Sequence, residues 1–278
     1  MLATLVIVFR EVIEAGLIIG IVLAATKGVT GRGFWVAVGI AAGVLGACIV
    51  ALFASQIAGL FQGSGQEILN ASILLAAVVM LAWHNSWMAS HGQEIARTMK
   101  AVGGDVAAGD RPMTALAVVV GVAVLREGSE VVLFLYGIAS GGGESAWSMV
   151  AGGILGILAG ALLSALMYYG LVAIPVRRLF AVTTWLITLL AAGMASQAVA
   201  FLQQAGYFQS LADPLWDTSG ILPGGSILGR LLHSLIGYSD NPTGAQLIAY
   251  LLTIAVIVSL MKLVGGRRNT PTGSLAKT

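Results

Sequence analysis

Six charged residues lie inside strongly apolar stretches of this sequence, and they form two copies of one pattern, Arg-Glu-x-x-Glu. The copies comprise Arg10, Glu11 and Glu14, and Arg126, Glu127 and Glu130. Only 9% of the chain is charged, and each charge in a hydrocarbon core costs about 2.5–3.5 kcal/mol or more. Keeping that cost twice, in one pattern, predicts a carboxylate-rich polar site at mid-membrane.

The spacing explains how such a site would be built. On a helix, positions i, i+1 and i+4 lie within an arc of about 100°, so each copy places its arginine and both glutamates on one face. The arginine and the second glutamate are neighbours and can pair. If the two helices face each other, four carboxylates and two guanidiniums converge with a formal excess of two negative charges. Such an oxygen-rich site suits a hard cation, and the arginines would position the carboxylates and keep some of them ionised.

Composition places these helices in a membrane. The chain has 278 residues, of which 58% are hydrophobic, and its mean hydropathy is +0.95, whereas a soluble domain carries about 25% charged residues. A span needs about 20 apolar residues. The sequence therefore predicts an all-α polytopic membrane protein with seven transmembrane helices, at about 2–26, 34–60, 67–89, 113–139, 147–172, 179–203 and 245–264.

Basic residues orient the predicted spans. Of the 14 lysines and arginines, 11 fall in the connections and tail on one side, which the positive-inside rule assigns to the cytoplasm. The opposite connections near 61–66 and 140–146 hold none, and the last holds only Arg230. We therefore expect the N-terminus outside and the C-terminus in the cytoplasm.

The two motifs also predict an internal repeat. They lie 116 residues apart, and each opens a group of three helices, so the second group enters the membrane from the opposite side, as in many transporters. Repeat 1 would cover about 1–100 and repeat 2 about 112–204. With helix 7 at 245–264 they form one transmembrane domain, 1–264, followed by a cytoplasmic tail, 265–278. Both glutamate pairs would then lie about 14–18 Å deep.

The remaining segment, 205–244, is too long for a simple connection. Apolar residues recur at helical spacing between Ile227 and Ile236, with Ser226 to cap the start and Gly237 to end the helix. This pattern predicts a short amphipathic helix on the outer membrane surface, with Arg230 and His233 facing away from lipid.

Other polar residues receive weaker interpretations. Glu67, Asp213 and Asp217 are predicted on the outer side, where they could collect cations, although solvated surface carboxylates are the commoner case. His84 and His91 are assigned to interfacial packing, because the zinc-hydrolase pattern His-Glu-x-x-His is absent from the sequence. The sequence has no phosphate loop, ATPase motif or nucleic-acid patch, so transport would be driven by a gradient or a partner.

The residues Phe9-Arg10-Glu11 with Glu14-Ala15, and the run from Leu125 to Glu130, resemble the oxidase-dependent iron permeases. This family includes the fungal high-affinity iron permease and the bacterial Efe-type iron permease. The stretches from Ile221 to Ser226 and from Gly237 to Pro242 also look like that family. Its usual pattern is Arg-Glu-Gly-x-Glu, and the first copy departs from it with Val12, so helix packing is expected to differ there.

The resemblance implies a permease of the plasma membrane or bacterial inner membrane rather than an enzyme. Iron, as Fe³⁺ or Fe²⁺, would be the substrate and not a permanently bound cofactor. Glu11, Glu14, Glu127 and Glu130 would pass the ion, with Arg10 and Arg126 in support. The resemblance also implies an extracytoplasmic iron-oxidising or iron-binding partner, since no oxidase lies in this chain.

Three alternatives remain open at this stage. One is a permease of the same family for another cation, such as lead or manganese, because four carboxylates do not select a metal. A membrane-embedded carboxylate metalloenzyme is the second, and it would need histidines near the glutamates, which neither helix 1 nor helix 4 carries. The third is a scaffold without transport, which the buried charge disfavours.

Overall fold

The computed structural model describes residues 1–60, 66–141, 145–171 and 176–266, and helices dominate these ranges. The predicted tail lies outside the described residues from 267 onward. The α-helices are α1 (Leu2–Ala25), α2 (Arg32–Leu60), α3 (Gln66–Ala108), α4 (Thr114–Ser140), α5 (Ala146–Tyr168), α6 (Val176–Gln204), α7 (Ile227–Ile236) and α8 (Gly244–Gly266).

Five stretches in these helices are long and apolar enough to cross a membrane. They are Arg32–Ala54, Gln66–Trp87, Ala146–Tyr168, Ala181–Gln204 and Gly244–Leu263. The other two long helices, α1 with 24 residues and α4 with 27, carry the charged motifs. The helical fold and these apolar spans identify an integral membrane protein.

Helix α3 extends beyond the membrane span that the sequence predicts. It runs for 43 residues to Ala108, whereas the predicted membrane span ended at residue 89. No proline lies between residues 89 and 108, and the glycines Gly92, Gly103 and Gly104 do not end the helix. The extension also packs, because Val102 and Val106 are buried and Val106 joins Val22 and Leu116 in one apolar cluster. The predicted span 67–89 thus agrees with the apolar stretch Gln66–Trp87, and the helix continues beyond it to Ala108.

The motif helices each pack tightly against one glycine-bearing partner. A Cβ on Gly156 of α5 would lie 2.9 Å from the carbonyl oxygen of Leu5, and one on Gly43 of α2 would lie 2.7 Å from that of Gly121. Such distances leave no room for a side chain, so glycine permits the close approach. The facing pairs are Gly152–Thr4, Gly156–Val8 and Gly160–Val12 for α5 on α1, and Gly39–Val120, Gly43–Val124 and Ala47–Gly128 for α2 on α4.

These pairs fix the relative direction of the helices. Residue numbers rise together along both contacts, so α1 and α5 run parallel, and α2 and α4 run parallel. Helices α3 and α6 pack against each other, and α1 also contacts α3 and α4. Buried apolar side chains such as Ile7, Phe134 and Ile187 fill the space between them. The charged motifs on α1 and α4 therefore lie in the interior of the bundle.

The segment between α6 and α8 is ordered by polar contacts. The Tyr238 hydroxyl lies 2.7 Å from Thr218 Oγ1 and donates to the carbonyl of Leu222 at 3.0 Å. The Asp240 carboxylate accepts the backbone N–H of Gly224 at 2.7 Å. Asp240 therefore connects the last part of this segment to its middle.

The short amphipathic helix is present as predicted. Ser226 Oγ accepts the backbone N–H of Gly229 at 2.9 Å, and Gly237 ends the helix with φ +70°, a conformation that favours glycine. Arg230 is exposed, while His233 is half-buried and its Nδ1 lies 2.8 Å from the carbonyl of Tyr238. The predicted position of this helix on the outer membrane surface stays a prediction.

Candidate metal centre

The first motif forms a buried charge cluster on α1. Arg10, Glu11 and Glu14 are each at most 2% exposed. Nη1 of Arg10 lies 2.8 Å from Oε1 of Glu11, and Nη2 lies 2.9 Å from Oε1 of Glu14. One guanidinium thus bridges both carboxylates, because helical geometry puts all three side chains in one arc. The second oxygen of each carboxylate, Oε2, has no hydrogen-bond partner among the described residues.

The second motif has the same pairing in a more open setting. Nη2 of Arg126 lies 2.6 Å from Oε1 of Glu127, and its Nε lies 3.7 Å from Oε1 of Glu130. The Arg126 side chain is 32% exposed, and its guanidinium lies 5.0 Å from the centroid of the Trp87 ring, a cation–π contact. Glu127 is buried and Glu130 is partly open.

The structure brings carboxylates of the two motifs together. One oxygen each from Glu11, Glu127 and Glu130 lie within 4.8 Å of one another. Oxygen atoms so close repel each other when ionised, and a shared cation relieves that repulsion. The grouping joins α1 to α4 across 116 residues of sequence.

The sequence interpretation missed a histidine that lies in this cluster. His84 of α3 is 5% exposed, and its Nε2 lies 3.9 Å from Oε2 of Glu11 and 3.7 Å from Oε2 of Glu14. Its Nδ1 contacts the Glu130 carboxylate. The assignment of His84 to interfacial packing is therefore wrong. The sequence interpretation looked for histidines only on helices 1 and 4, and a third helix supplies the residue.

A sequence signal for His84 did exist. Three consecutive polar residues, His84, Asn85 and Ser86, interrupt the apolar stretch Gln66–Trp87, and all three are buried. Buried polar side chains at membrane depth generally mark a functional site. What the sequence alone does not give is the rotation that aims His84 at the motif helices.

Several buried atoms of the cluster lack hydrogen-bond partners among the described residues. These atoms include Oε2 of Glu11, Oε2 of Glu14 and Nε2 of His84. An unsatisfied buried polar atom costs about 1–3 kcal/mol. All three atoms offer lone pairs when the imidazole is neutral, and one ligand atom from each of the three residues lies within 4.8 Å of the others. Their chemistry fits a metal ion between α1 and α3.

A cavity leads to this cluster. It has a volume of about 380 Å³ and is lined by Val79, Met80, Trp83, His84, Trp87, Arg126, Glu130 and Phe134. Trp83 is 72% exposed, so the cavity reaches the surface of the bundle between α3 and α4. His84 and Glu130 thus separate the open space from the buried glutamates of α1.

The predicted outer carboxylates lie apart from the cluster. Glu67, at the start of α3, and the exposed Asp213 and Asp217 belong to neither close group of metal-ligating side chains in the described residues. Asp217 accepts the backbone N–H of Ser219 at 2.8 Å, and hydrogen bonds from the Ser219 side chain and backbone lower the pKa of the Asp217 carboxyl. A role for these residues in collecting cations stays a prediction.

The fold and the site define a helical membrane protein with a carboxylate-rich cluster in its interior. Residues 1–267 match the sequence model of the iron permease FTR1 family. This chain therefore belongs to the iron permease FTR1 family, whose members are permeases and not enzymes.

Relatives of known name agree with the assignment. The ferrous iron permease EfeU of Yersinia pestis is 28% identical over 256 residues, covering 91% of this chain and 90% of the relative. EfeU of Yersinia pseudotuberculosis is 29% identical over 250 residues, covering 88% and 87%. EfeU of Escherichia coli O157:H7 is 28% identical over 260 residues, covering 91% and 92%. No solved structure matches this chain.

Proposed function

We propose that this chain carries iron across the membrane through the cluster of Glu11, Glu14, Glu127 and Glu130. The observation that carries the proposal is the approach of carboxylates from α1 and α4 to within 4.8 Å in the bundle interior. Charged groups there are costly unless they bind something. Membership of an iron permease family indicates that the transported ion is iron.

The two arginines hold the cluster in shape. Arg10 binds one oxygen of Glu11 and one of Glu14, so the second oxygens stay available for a cation. Arg126 does the same for Glu127 at 2.6 Å and for Glu130 at a longer 3.7 Å, and its side chain is partly exposed. We infer that the α1 half is the rigid part of the site and that the α4 half moves more readily.

The ion reaches the cluster through the cavity between α3 and α4. Glu130 and His84 line that cavity, and both also contact the buried cluster. An ion in the cavity therefore meets Glu130 first and passes inward to Glu11 and Glu14. Asp213, Asp217 and Glu67 would raise the local cation concentration on the outer side.

The permease has seven spans, and helices α1–α3 and α4–α6 form an inverted repeat. Support comes from the helix contacts, because Thr4, Val8 and Val12 face α5 as Val120, Val124 and Gly128 face α2. The α1 and α4 positions differ by 116 residues throughout, and their partners on α2 and α5 differ by 113. Since α1 and α2 are joined by a short turn and α4 runs parallel to α2, α4 runs antiparallel to α1.

The location and partners follow from the same family membership. The N-terminus lies outside and the C-terminus in the cytoplasm of a bacterial inner membrane, as the basic residues indicate. The named relatives are ferrous iron permeases, so Fe²⁺ is the favoured substrate over Fe³⁺. For Fe²⁺ the extracytoplasmic partner would be an iron-binding protein that delivers the ion, whereas an iron-oxidising partner would deliver Fe³⁺ instead.

The test is radioactive iron uptake into proteoliposomes, with Fe²⁺ and Fe³⁺ compared. Glu14→Gln and Glu130→Gln each remove a charge from the cluster and should lower uptake by at least about tenfold, a loss of roughly 1.4 kcal/mol of ion binding. Glu94→Gln on the exposed face of α3 is the matched control and should transport normally. Normal uptake in both cluster variants would overturn the proposed site.

The same assay separates the alternatives for the substrate. Lead and manganese ions are offered in place of iron at equal concentration. A permease for either metal would take it up faster than iron, and a membrane metalloenzyme would show no uptake of any ion.

A further inference from the structure

We propose that Nε2 of His84 is a direct ligand of the transported ion, together with Glu11 and Glu14, and that Glu130 orients the imidazole for this role. The inference rests on the proposed function and adds a nitrogen ligand to a site that the motifs describe as all-carboxylate. It also implies that α3, which carries His84, determines which metal the site prefers.

The contact with Glu130 favours a proton on Nδ1 of the His84 imidazole. Nδ1 of His84 contacts a carboxylate oxygen of Glu130, and a carboxylate accepts a hydrogen bond, so Nδ1 carries the proton. In a neutral imidazole the other nitrogen then has a free lone pair. Metal-binding histidines are commonly fixed in this way by a carboxylate behind the ring. Glu130 is thus a positioning residue for His84 in this arrangement.

The distances suit a shared ion. Nitrogen and carboxylate ligands lie about 2.1 Å from a first-row divalent metal, so two ligand atoms of one ion are roughly 3.0 Å apart at a right angle and 4.2 Å apart when opposite. The Nε2 atom lies 3.7 Å from Glu14 Oε2 and 3.9 Å from Glu11 Oε2. Both distances fall within that range without any helix movement.

Burial gives a second, independent reason. Glu11, Glu14 and His84 are at most 5% exposed, and the facing atoms Oε2, Oε2 and Nε2 have no hydrogen-bond partner in the described part of the chain. A packing role for His84 would leave all three atoms unsatisfied. Phe134, which is fully buried, packs edge-on against the imidazole with 6.4 Å between ring centroids, and so holds the ring in place.

The nitrogen ligand has a consequence for selectivity. Carboxylates alone suit Mg²⁺, Ca²⁺ and Mn²⁺, whereas imidazole favours later transition metals such as Fe²⁺. His84 should therefore discriminate iron against the abundant hard divalent ions. Loss of the imidazole should weaken iron binding more than it weakens magnesium or calcium binding.

The direct test is pulsed electron paramagnetic resonance on the purified full chain with Mn²⁺ as the spin probe. Histidine nitrogen bound to Mn²⁺ produces a nitrogen modulation, and ¹⁵N-histidine labelling assigns it. We expect the modulation in the wild type and in His91→Gln, and its loss in His84→Gln. His91 is the matched control, since it lies seven residues along the same helix and stacks on Trp87.

Uptake measurements test selectivity. His84→Gln should raise the iron concentration for half-maximal uptake by at least about tenfold, and excess Mg²⁺ or Ca²⁺ should then inhibit iron uptake. His91→Gln should behave as the wild type in both respects.

The outcomes separate this inference from the proposed function. If wild-type protein transports iron but bound Mn²⁺ shows no histidine nitrogen, the inference fails and the proposed function stands. The same holds if His84→Gln keeps the nitrogen modulation. If wild-type protein neither binds nor transports an ion, both fail. If His84→Gln does not fold, a modulation that persists in both His91→Gln and His233→Gln still assigns the nitrogen to His84, because the sequence has three histidines.

Discussion

Val12 of α1 packs directly on Gly160 of α5: a Cβ added to Gly160 would lie 2.8 Å from Val12 Cγ1. The equivalent contact on the other side of the molecule has the sizes reversed, with Gly128 of α4 against Ala47 of α2 at 2.6 Å from an added Cβ. The expected difference in packing at Val12 is therefore confirmed. At the first motif the glycine of this contact is on the partner helix α5, as Gly160, and at the second it is on the motif helix α4, as Gly128.

This relationship predicts a rescue experiment. Gly160→Ala should overpack the contact and destabilise the protein by about 1–3 kcal/mol, seen as a lower unfolding temperature in detergent. Val12→Gly combined with Gly160→Ala recreates the Gly–Ala contact of the other half and should recover most of the loss. Gly153→Ala is the control, since no atom lies within 4 Å of its added Cβ. A double variant as unstable as Gly160→Ala would contradict the explanation.

The two motif arginines should differ in their structural importance. Arg10 is buried and bridges two carboxylates, so Arg10→Gln leaves buried charge uncompensated and should cost about 3–5 kcal/mol. Arg126 is 32% exposed, and water compensates part of its loss, so Arg126→Gln should cost less. Thermal unfolding of both variants measures which one loses more stability, and the exposed Arg230→Gln serves as the reference. Equal losses for Arg10 and Arg126 would argue against the difference in burial as the cause.

Asp240 should stabilise the segment between α6 and α8. Its carboxylate accepts the Gly224 N–H at 2.7 Å, and a hydrogen bond to a charged group contributes about 1.5–3 kcal/mol. Asp240→Asn should therefore speed limited proteolysis between residues 205 and 243. The exposed Asp213→Asn on the same segment should leave the cleavage rate unchanged. Equal cleavage of the wild type and Asp240→Asn would show that other contacts suffice.

The outer carboxylates should affect the rate of ion capture and not the maximal rate. Removing charge at Asp213 and Asp217 together, as Asn, should slow uptake by about two- to fivefold at low ionic strength and trace iron, with little effect at high salt. Asp110→Asn, on the predicted cytoplasmic side, is the control for uptake into cells. A salt-independent effect, or none, would remove these residues from the route.

The acid sensitivity of that effect has a definite sign. Hydrogen bonds from Ser219 lower the pKa of Asp217, so its charge is present above the ordinary aspartate pKa of about 3.9 and is lost only below it. The contribution of Asp217 to ion capture should therefore stay constant from neutral pH down to that range. A decline of this contribution between pH 7 and 5 would point to a different titrating group.

Much of the fold follows from sequence because the bilayer imposes simple rules. Length and apolarity locate helices such as α2, α5 and α8, and Ser226 with Gly237 marks both ends of α7. The extension of α3 beyond residue 89 is not predictable from hydropathy, because polar residues in a helix outside the apolar region look like a loop. Its packing through Val106 against Val22 depends on a contact between distant parts of the chain.

The sequence by itself determined which residues carry the charge and that each motif presents them on one helical face, since this depends only on the local geometry of 3.6 residues per turn. Only the tertiary structure decided that α3 turns His84 toward Glu11 and Glu14. That rotation is fixed by packing among α1, α3 and α4, which no local pattern contains. Two short sequence motifs thus identify the carboxylates, whereas the position of the His84 nitrogen beside them depends on how the helices pack.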